Sequence, residues 1–141
     1  MNDRLCIRLK RICRAAILCL TGSLIAAGCQ KAPINGDLDG QWQVMEVEPK
    51  VEHPQFGGRL YYCFSLHVCQ LTTGPVVTSG NLSYAGDRID INFPRFTSQA
   101  ASDSLRWWGI NSNPVTFKVE HLDKNRLVIR DGETTVTLRK Y

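Results

Sequence analysis

Apolar and polar residues alternate with a period of two along most of the chain beyond residue 40. Leu60, Tyr62, Phe64, Leu66 and Val68 alternate with Cys63, Ser65, His67 and Cys69; Ile89, Ile91 and Phe93 alternate with Arg88, Asp90 and Asn92; Phe117 and Val119 alternate with Lys118 and Glu120. This period is that of a strand with one buried face, so the first set in each run is predicted to point inward. Leu127 with Ile129 and Val136 with Leu138 extend the same interior. The spacing predicts strands near 41–48, 59–72, 76–84, 88–93, 115–122, 126–130 and 133–140, with an eighth arising if the long second run breaks at Gly74-Pro75. Turns fall at Gly57-Gly58, Ala85-Gly86-Asp87, Asp123-Lys124-Asn125 and Asp131-Gly132. Such short links join antiparallel neighbours, and no long amphipathic pattern supplies the helices of parallel βαβ units. A sheet with one apolar face closes best on itself, which removes its edges. The expected fold is all-β, an antiparallel up-and-down barrel of about eight strands. The long interruption at 94–113 is predicted to hold a short helical turn over 102–108, with Ser102 or Asp103 as N-cap and its apolar side over one barrel mouth.

The first 28 residues follow a different rule. Residues 4–14 carry five basic side chains, and Ala15 to Ala27 form an apolar run without a charge. That run is shorter than the roughly 20 residues a bilayer-spanning helix needs, and it reads as a secretory signal peptide. Its end, Ala26-Ala27-Gly28-Cys29, resembles the bacterial lipoprotein box. The resemblance implies cleavage before Cys29 and acylation of its thiol, with ordinary secretion and an uncleaved anchor as the alternatives. The predicted organisation is a signal peptide over 1–28, a lipidated N-terminus and tether over 29–37, and a barrel domain over 38–141. The bilayer, through Cys29, is then the first expected partner. Gln30 and Lys31 do not resemble the acidic surface-export tag of Bacteroidota lipoproteins, which points to the periplasmic side of the outer membrane.

The composition, 43% hydrophobic and 21% charged, is that of a folded domain. The net charge of +4 suggests a polyanionic partner until it is located. Residues 29–141 hold twelve basic and twelve acidic side chains, so no electrostatic case for nucleic acid remains. Of six cysteines, Cys6, Cys13 and Cys19 leave with the signal and Cys29 takes lipid, leaving Cys63 and Cys69. On one continuous strand these would lie roughly 20 Å apart, beyond disulfide reach. A hairpin between them would bring them closer, but no Gly, Asn or Asp lies there to turn it. No paired spacing of Cys or His suggests a metal, and no cofactor is expected.

Gly40-Gln41-Trp42, just ahead of the first strand, is similar to the G-x-W motif of the lipocalins and calycins. In that family a base on the last strand crosses the Trp at the closed end of the barrel, so the resemblance implies a pairing of Trp42 with Arg139. The segments Trp108-Gly109-Ile110, Phe117 to Leu122 and Leu127 to Arg139 also resemble the short lipocalin-like lipoproteins of Bacteroidota. The body is only 104 residues, so its interior is expected to be small or filled by side chains.

His67, His121, Glu46, Glu48 and Glu120 have no sequence order that gathers them into an acid–base site, and catalysis is not expected. Tyr62, Phe64, Leu66 and Phe117 are candidates to line a ligand cavity or to form core. Of Trp107 and Trp108, one is expected to pack and the other to form a lid or a partner surface, because adjacent residues on a strand point opposite ways. Two functions follow: an anchored protein that binds a small apolar or amphipathic ligand in or at the mouth of the barrel, and an envelope interaction protein with a filled barrel, whose partner the sequence does not name.

Overall fold

In the computed structural model, residues 33–52, 59–96 and 103–141 are described. The expected signal peptide, Cys29, the expected turn at Gly57-Gly58 and Ser102 lie outside the described residues. A 3-10 turn at Gly36–Leu38 precedes eight strands: β1 (Gly40–Glu48), β2 (Tyr61–Ser65), β3 (Val68–Thr72), β4 (Val76–Ala85), β5 (Arg88–Asn92), β6 (Val115–Leu122), β7 (Arg126–Asp131) and β8 (Thr134–Lys140). A single helical turn, α1 (Asp103–Arg106), lies between β5 and β6, with Asp103 as its first residue. Each strand pairs antiparallel with the next, and β8 returns to β1, which closes the barrel.

Alternation works as expected on most strands. Trp42, Tyr62, Phe64, Ile89, Phe117, Ile129 and Leu138 are all inward and buried to within 1%. The long run 59–72 is the exception. It breaks at Leu66-His67 into the hairpin β2–β3, and this break, rather than Gly74-Pro75, supplies the eighth strand; Gly74-Pro75 lies in the next link, between β3 and β4. Leu66 takes the turn in the left-handed region, φ 54°, a conformation that costs a leucine roughly 1–2 kcal/mol relative to glycine. The inserted turn reverses the faces beyond it. Leu66 and Val68 are exposed, and Cys69 is buried. Cys63 and Cys69 are both free, because they stand on opposite faces of neighbouring strands: Cys69 faces inward opposite Phe64, while Cys63 faces outward opposite Gln70. Burial pushes both thiols up from their ordinary values, Cys69 far more, which keeps them protonated and unreactive.

At one end the 3-10 turn closes the barrel. Leu38 is buried there, and Trp42 Nε1 donates to its carbonyl at 2.7 Å. The base over the indole is Lys140, with Nζ 4.4 Å from the ring centroid, not Arg139. The register explains the difference: Trp42 lies opposite Lys140, and Arg139 lies opposite Gln43 on the outer face, where it donates to Gln43 Oε1 at 3.2 Å. Lys140 Nζ also donates to the carbonyls of Asp37 and Asp39, at 2.7 and 2.5 Å. Gly40 is required beside it. A Cβ there would stand 2.9 Å from Lys140 Cε, and the φ of +130° disfavours any other residue.

The link between β6 and β7 shows how a turn here is fixed by a carboxylate. Asp123 accepts from the backbone N–H of Asn125 and Arg126, at 2.7 and 2.8 Å, and pairs with His121 at 2.7 Å. The Asn125 amide, then His121 and the Arg126 amide, bring the Asp123 pKa down to about 2. A carboxylate lowered in the folded state stabilises above its unfolded pKa near 4, and the contribution is lost as pH falls toward 2. Urea midpoints of the wild type should therefore fall more steeply between pH 4.5 and 2 than those of Asp123→Ala. Parallel curves would contradict this.

Candidate functional site

The barrel end opposite Trp42 is where a ligand would enter an open barrel, and it is plugged. The chain between β5 and β6 folds over it, burying Leu105, Trp108 and Ile110 completely. Tyr62 Oη donates to the carbonyl of Trp108, and Trp108 Nε1 donates to the carbonyl of Tyr61 at 3.1 Å. Asn111 Nδ2 reaches Thr134 Oγ1 at 2.7 Å, and the Asn113 side chain bonds the backbone N–H and C=O of Phe93 at 2.8 and 2.9 Å. Gly109 lets the plug approach the wall, since a Cβ there would meet Val136 Cγ2 at 2.3 Å. The plug is tied to the barrel by hydrogen bonds on several sides and does not hang as a free flap.

Tyr62, Phe64, Phe117 and Trp108 are consequently core. Each is at most 1% exposed and belongs to the single buried apolar cluster. Leu66 does not join them: it is exposed in the β2–β3 turn at the other end of the barrel from the plug. Trp107 is half-buried, stacked on Trp108 with ring centroids 6.3 Å apart, and borders a cleft that the other candidate ligand contacts do not line.

This cleft, of about 440 Å³, lies in the wall beside the plug. It exists because β1 outlasts its partner. Pairing of β1 with β2 ends at Gln43 opposite Tyr61, with one further bond from Val44 N to Leu60 O at 2.8 Å. On its other side β1 stays paired with β8 as far as Glu48. A bulge between Val44 and Glu46 in the β1–β8 pairing inserts one residue, so Val44 and Val47 both pack against the core while Met45 and Glu46 stand outside. Val44, Val47, Leu60 and Trp107 give the cleft an apolar floor and side, and Glu46, Lys50, Glu52 and Arg59 bring charges of both signs to it. The sequence signal was available: two valines three residues apart in Val44-Met45-Glu46-Val47 break the period of two where a bulge would restore it.

The charged and polar groups that might have formed a reaction centre are dispersed. His121 pairs with Asp123, Glu120 pairs with Arg130 at 2.9 Å on the outer wall, His67 sits in the β2–β3 turn, and Glu46 borders the cleft. Among the described residues no three His, Cys, Asp or Glu side chains converge on a metal-sized space. No helix among the described residues is long and apolar enough to cross a membrane.

This architecture has solved counterparts. A lipocalin-like protein from Bacteroides uniformis superposes with a TM-score of 0.55 at 25% identity, over 75% of this chain and all of its own. An uncharacterized protein from Bacteroides eggerthii superposes with the same score at 22% identity, over 73% of this chain and 98% of its own, a likeness of fold alone. No curated protein matches the chain. The family model of the lipocalin-like domain matches residues 23–141, which include the whole barrel, and the chain belongs to that family.

Proposed function

We propose that the protein is an acylated lipoprotein of the cell envelope that binds a small amphipathic ligand in the lateral cleft at the barrel mouth, without transforming it. The fold is that of a family of ligand-binding type, which supports binding over catalysis. The observation that carries the site is the gap left where β1 runs past β2, floored by Val44, Val47 and Leu60 and flanked by Trp107. Its volume lies in the range of small-molecule pockets, roughly 300–1,000 Å³. An apolar body would lie on that floor, and a polar head would meet Lys50, Arg59, Glu46 or Glu52. Beyond Val44 this edge of β1 has no strand partner among the described residues, and it also suits addition of a strand from another protein, the form the interaction reading takes here.

Native mass spectrometry of protein extracted from membranes should show a mature chain starting at acylated Cys29 and a co-purified small molecule. A native N-terminus elsewhere would remove the anchor from this reading. Displacement of the ligand should change the tryptophan fluorescence, and Trp107→Ala should weaken binding by about 1–3 kcal/mol, or roughly five- to 150-fold. Phe64→Ala, in the closed core, should alter stability and leave affinity nearly unchanged. Binding that ignores Trp107 but tracks Phe64 would place the ligand inside the barrel.

A further inference from the structure

The closed end of the barrel carries an apolar feature that neither folding nor the cleft explains. Leu66 is 44% exposed, outside the core, and held in the left-handed conformation that leucine resists. Asparagine or glycine would occupy that φ at lower cost. The turn is nevertheless fixed there by its backbone: the Leu66 carbonyl accepts from Asn35 Nδ2 at 2.8 Å, and the His67 carbonyl accepts from Leu82 N–H at 2.7 Å. Asn35 is in turn clasped to the Asp39 carboxylate through its amide and its side chain, at 3.2 and 2.6 Å. These bonds set Ile34, 54% exposed, beside the Leu66 turn, and Val68 follows at 41%. Three exposed aliphatic side chains thus share the end at which the described chain begins.

We propose that this end, through Ile34, Leu66 and Val68, rests on the bilayer that holds Cys29. The proposal rests on the reading of Cys29 as the acylated residue. Four residue steps separate Cys29 from Pro33, and at most about 3.6 Å per step the acylated cysteine cannot lie more than about 14 Å from the start of the domain. The other barrel end, with the cleft and the exposed Val76 and Val77, lies a strand length further away, roughly 15–25 Å. The tether therefore brings the Ile34 end to the membrane first, and apolar side chains there enter the interface without a further ordering cost. Arg88 is already paired with Asp90 and Lys140 is engaged by two backbone carbonyls, whereas Lys124 and Arg126 stand exposed at the β6–β7 link at the same end, so apolar area makes the contact and anionic lipid strengthens it. In this orientation the cleft faces away from the anchoring leaflet, and its ligand comes from the aqueous side.

The test uses the mature protein, its acylation established by mass, in nanodiscs of phosphatidylethanolamine and phosphatidylglycerol and, separately, of phosphatidylcholine. With methyl-labelled Ile, Leu and Val and a nitroxide lipid labelled near the headgroup, the methyls of Ile34, Leu66 and Val68 should relax several-fold faster than those of Val76 and Val77 in both lipid mixtures, and at least as fast in the anionic mixture as in phosphatidylcholine. Leu66→Asn should raise the unfolding midpoint, because asparagine accepts the turn conformation, and should lower the relaxation at Ile34 and Val68 at least twofold. A role confined to the fold predicts no such loss. Stronger relaxation at Val76 and Val77, or uniform relaxation at both ends, would overturn the docking while leaving the anchor intact. A mature chain without acyl groups would overturn both.

Discussion

Trp108→Ala should destabilise the protein by about 3–5 kcal/mol, in the upper range for loss of a large buried side chain. The ring is completely buried between the barrel and α1, so its removal leaves a cavity at the mouth that the wall cannot fill. It also leaves the Tyr61 carbonyl without its indole donor. The plug backbone cannot collapse inward to compensate, since Gly109 already lies against Val136 and Asn111 is tied to Thr134. Urea unfolding of Trp108→Ala against wild type measures the loss, and a hydrophobic dye should bind the variant where it ignores the parent. If the ring were a lid over an open cavity, the expectation that the paired tryptophans raise, the loss would stay below about 1 kcal/mol and the effect would fall on ligand release instead. The two outcomes separate a barrel that binds inside from one that binds at its side.

The architecture was legible wherever a turn was written in residues that favour turns. Asp131-Gly132 and Ala85-Gly86-Asp87 sit at the β7–β8 and β4–β5 links, with Gly132 and Gly86 at positive φ, and the inward sets of β5, β7 and β8, and of β6 as far as Val119, follow the period of two. The turn at Leu66-His67 could not be read this way. Its geometry is imposed by bonds from Asn35 and Leu82, residues distant in sequence, so no local preference announces it. One hidden turn was enough to invert Val68 and Cys69 and to remove Leu66 from the interior, because a shift of one residue exchanges the two faces of a strand. The cleft was hidden for a related reason. It depends on β2 starting at Tyr61 while β1 continues to Glu48, an unequal length that follows from the β1–β2 connection and not from either strand alone. Trp107 and Trp108 were separable only as a pair of unlike roles; Trp108 is the one that packs, its ring buried and its indole N–H donating to the carbonyl of Tyr61, a residue distant in sequence.

At the closed end, Trp42→Ala should cost about 3–5 kcal/mol, since the indole is fully buried and its N–H holds the 3-10 turn through Leu38. The informative measurement is its coupling to the two bases that end β8. Lys140 stands over the ring, and its ammonium is partly withdrawn from water: burial lowers its pKa, which the carboxylates of Asp37 and Asp39 raise in part. An ammonium in that position interacts with the ring face by about 0.5–2 kcal/mol, the upper part of that range applying where it is withdrawn from water. A double-mutant cycle of Trp42→Ala with Lys140→Met should return a coupling of that size, methionine being chosen to keep an apolar stem over Gly40. The same cycle with Arg139→Met should be additive within about 0.5 kcal/mol, because that guanidinium lies on the outer wall with Gln43. Coupling to Arg139 in place of Lys140 would mean that β8 is displaced by one residue against β1. Such a slip would turn Val136 and Leu138 out of the core and cost far more than the single contact, so the register and the ring contact stand or fall together.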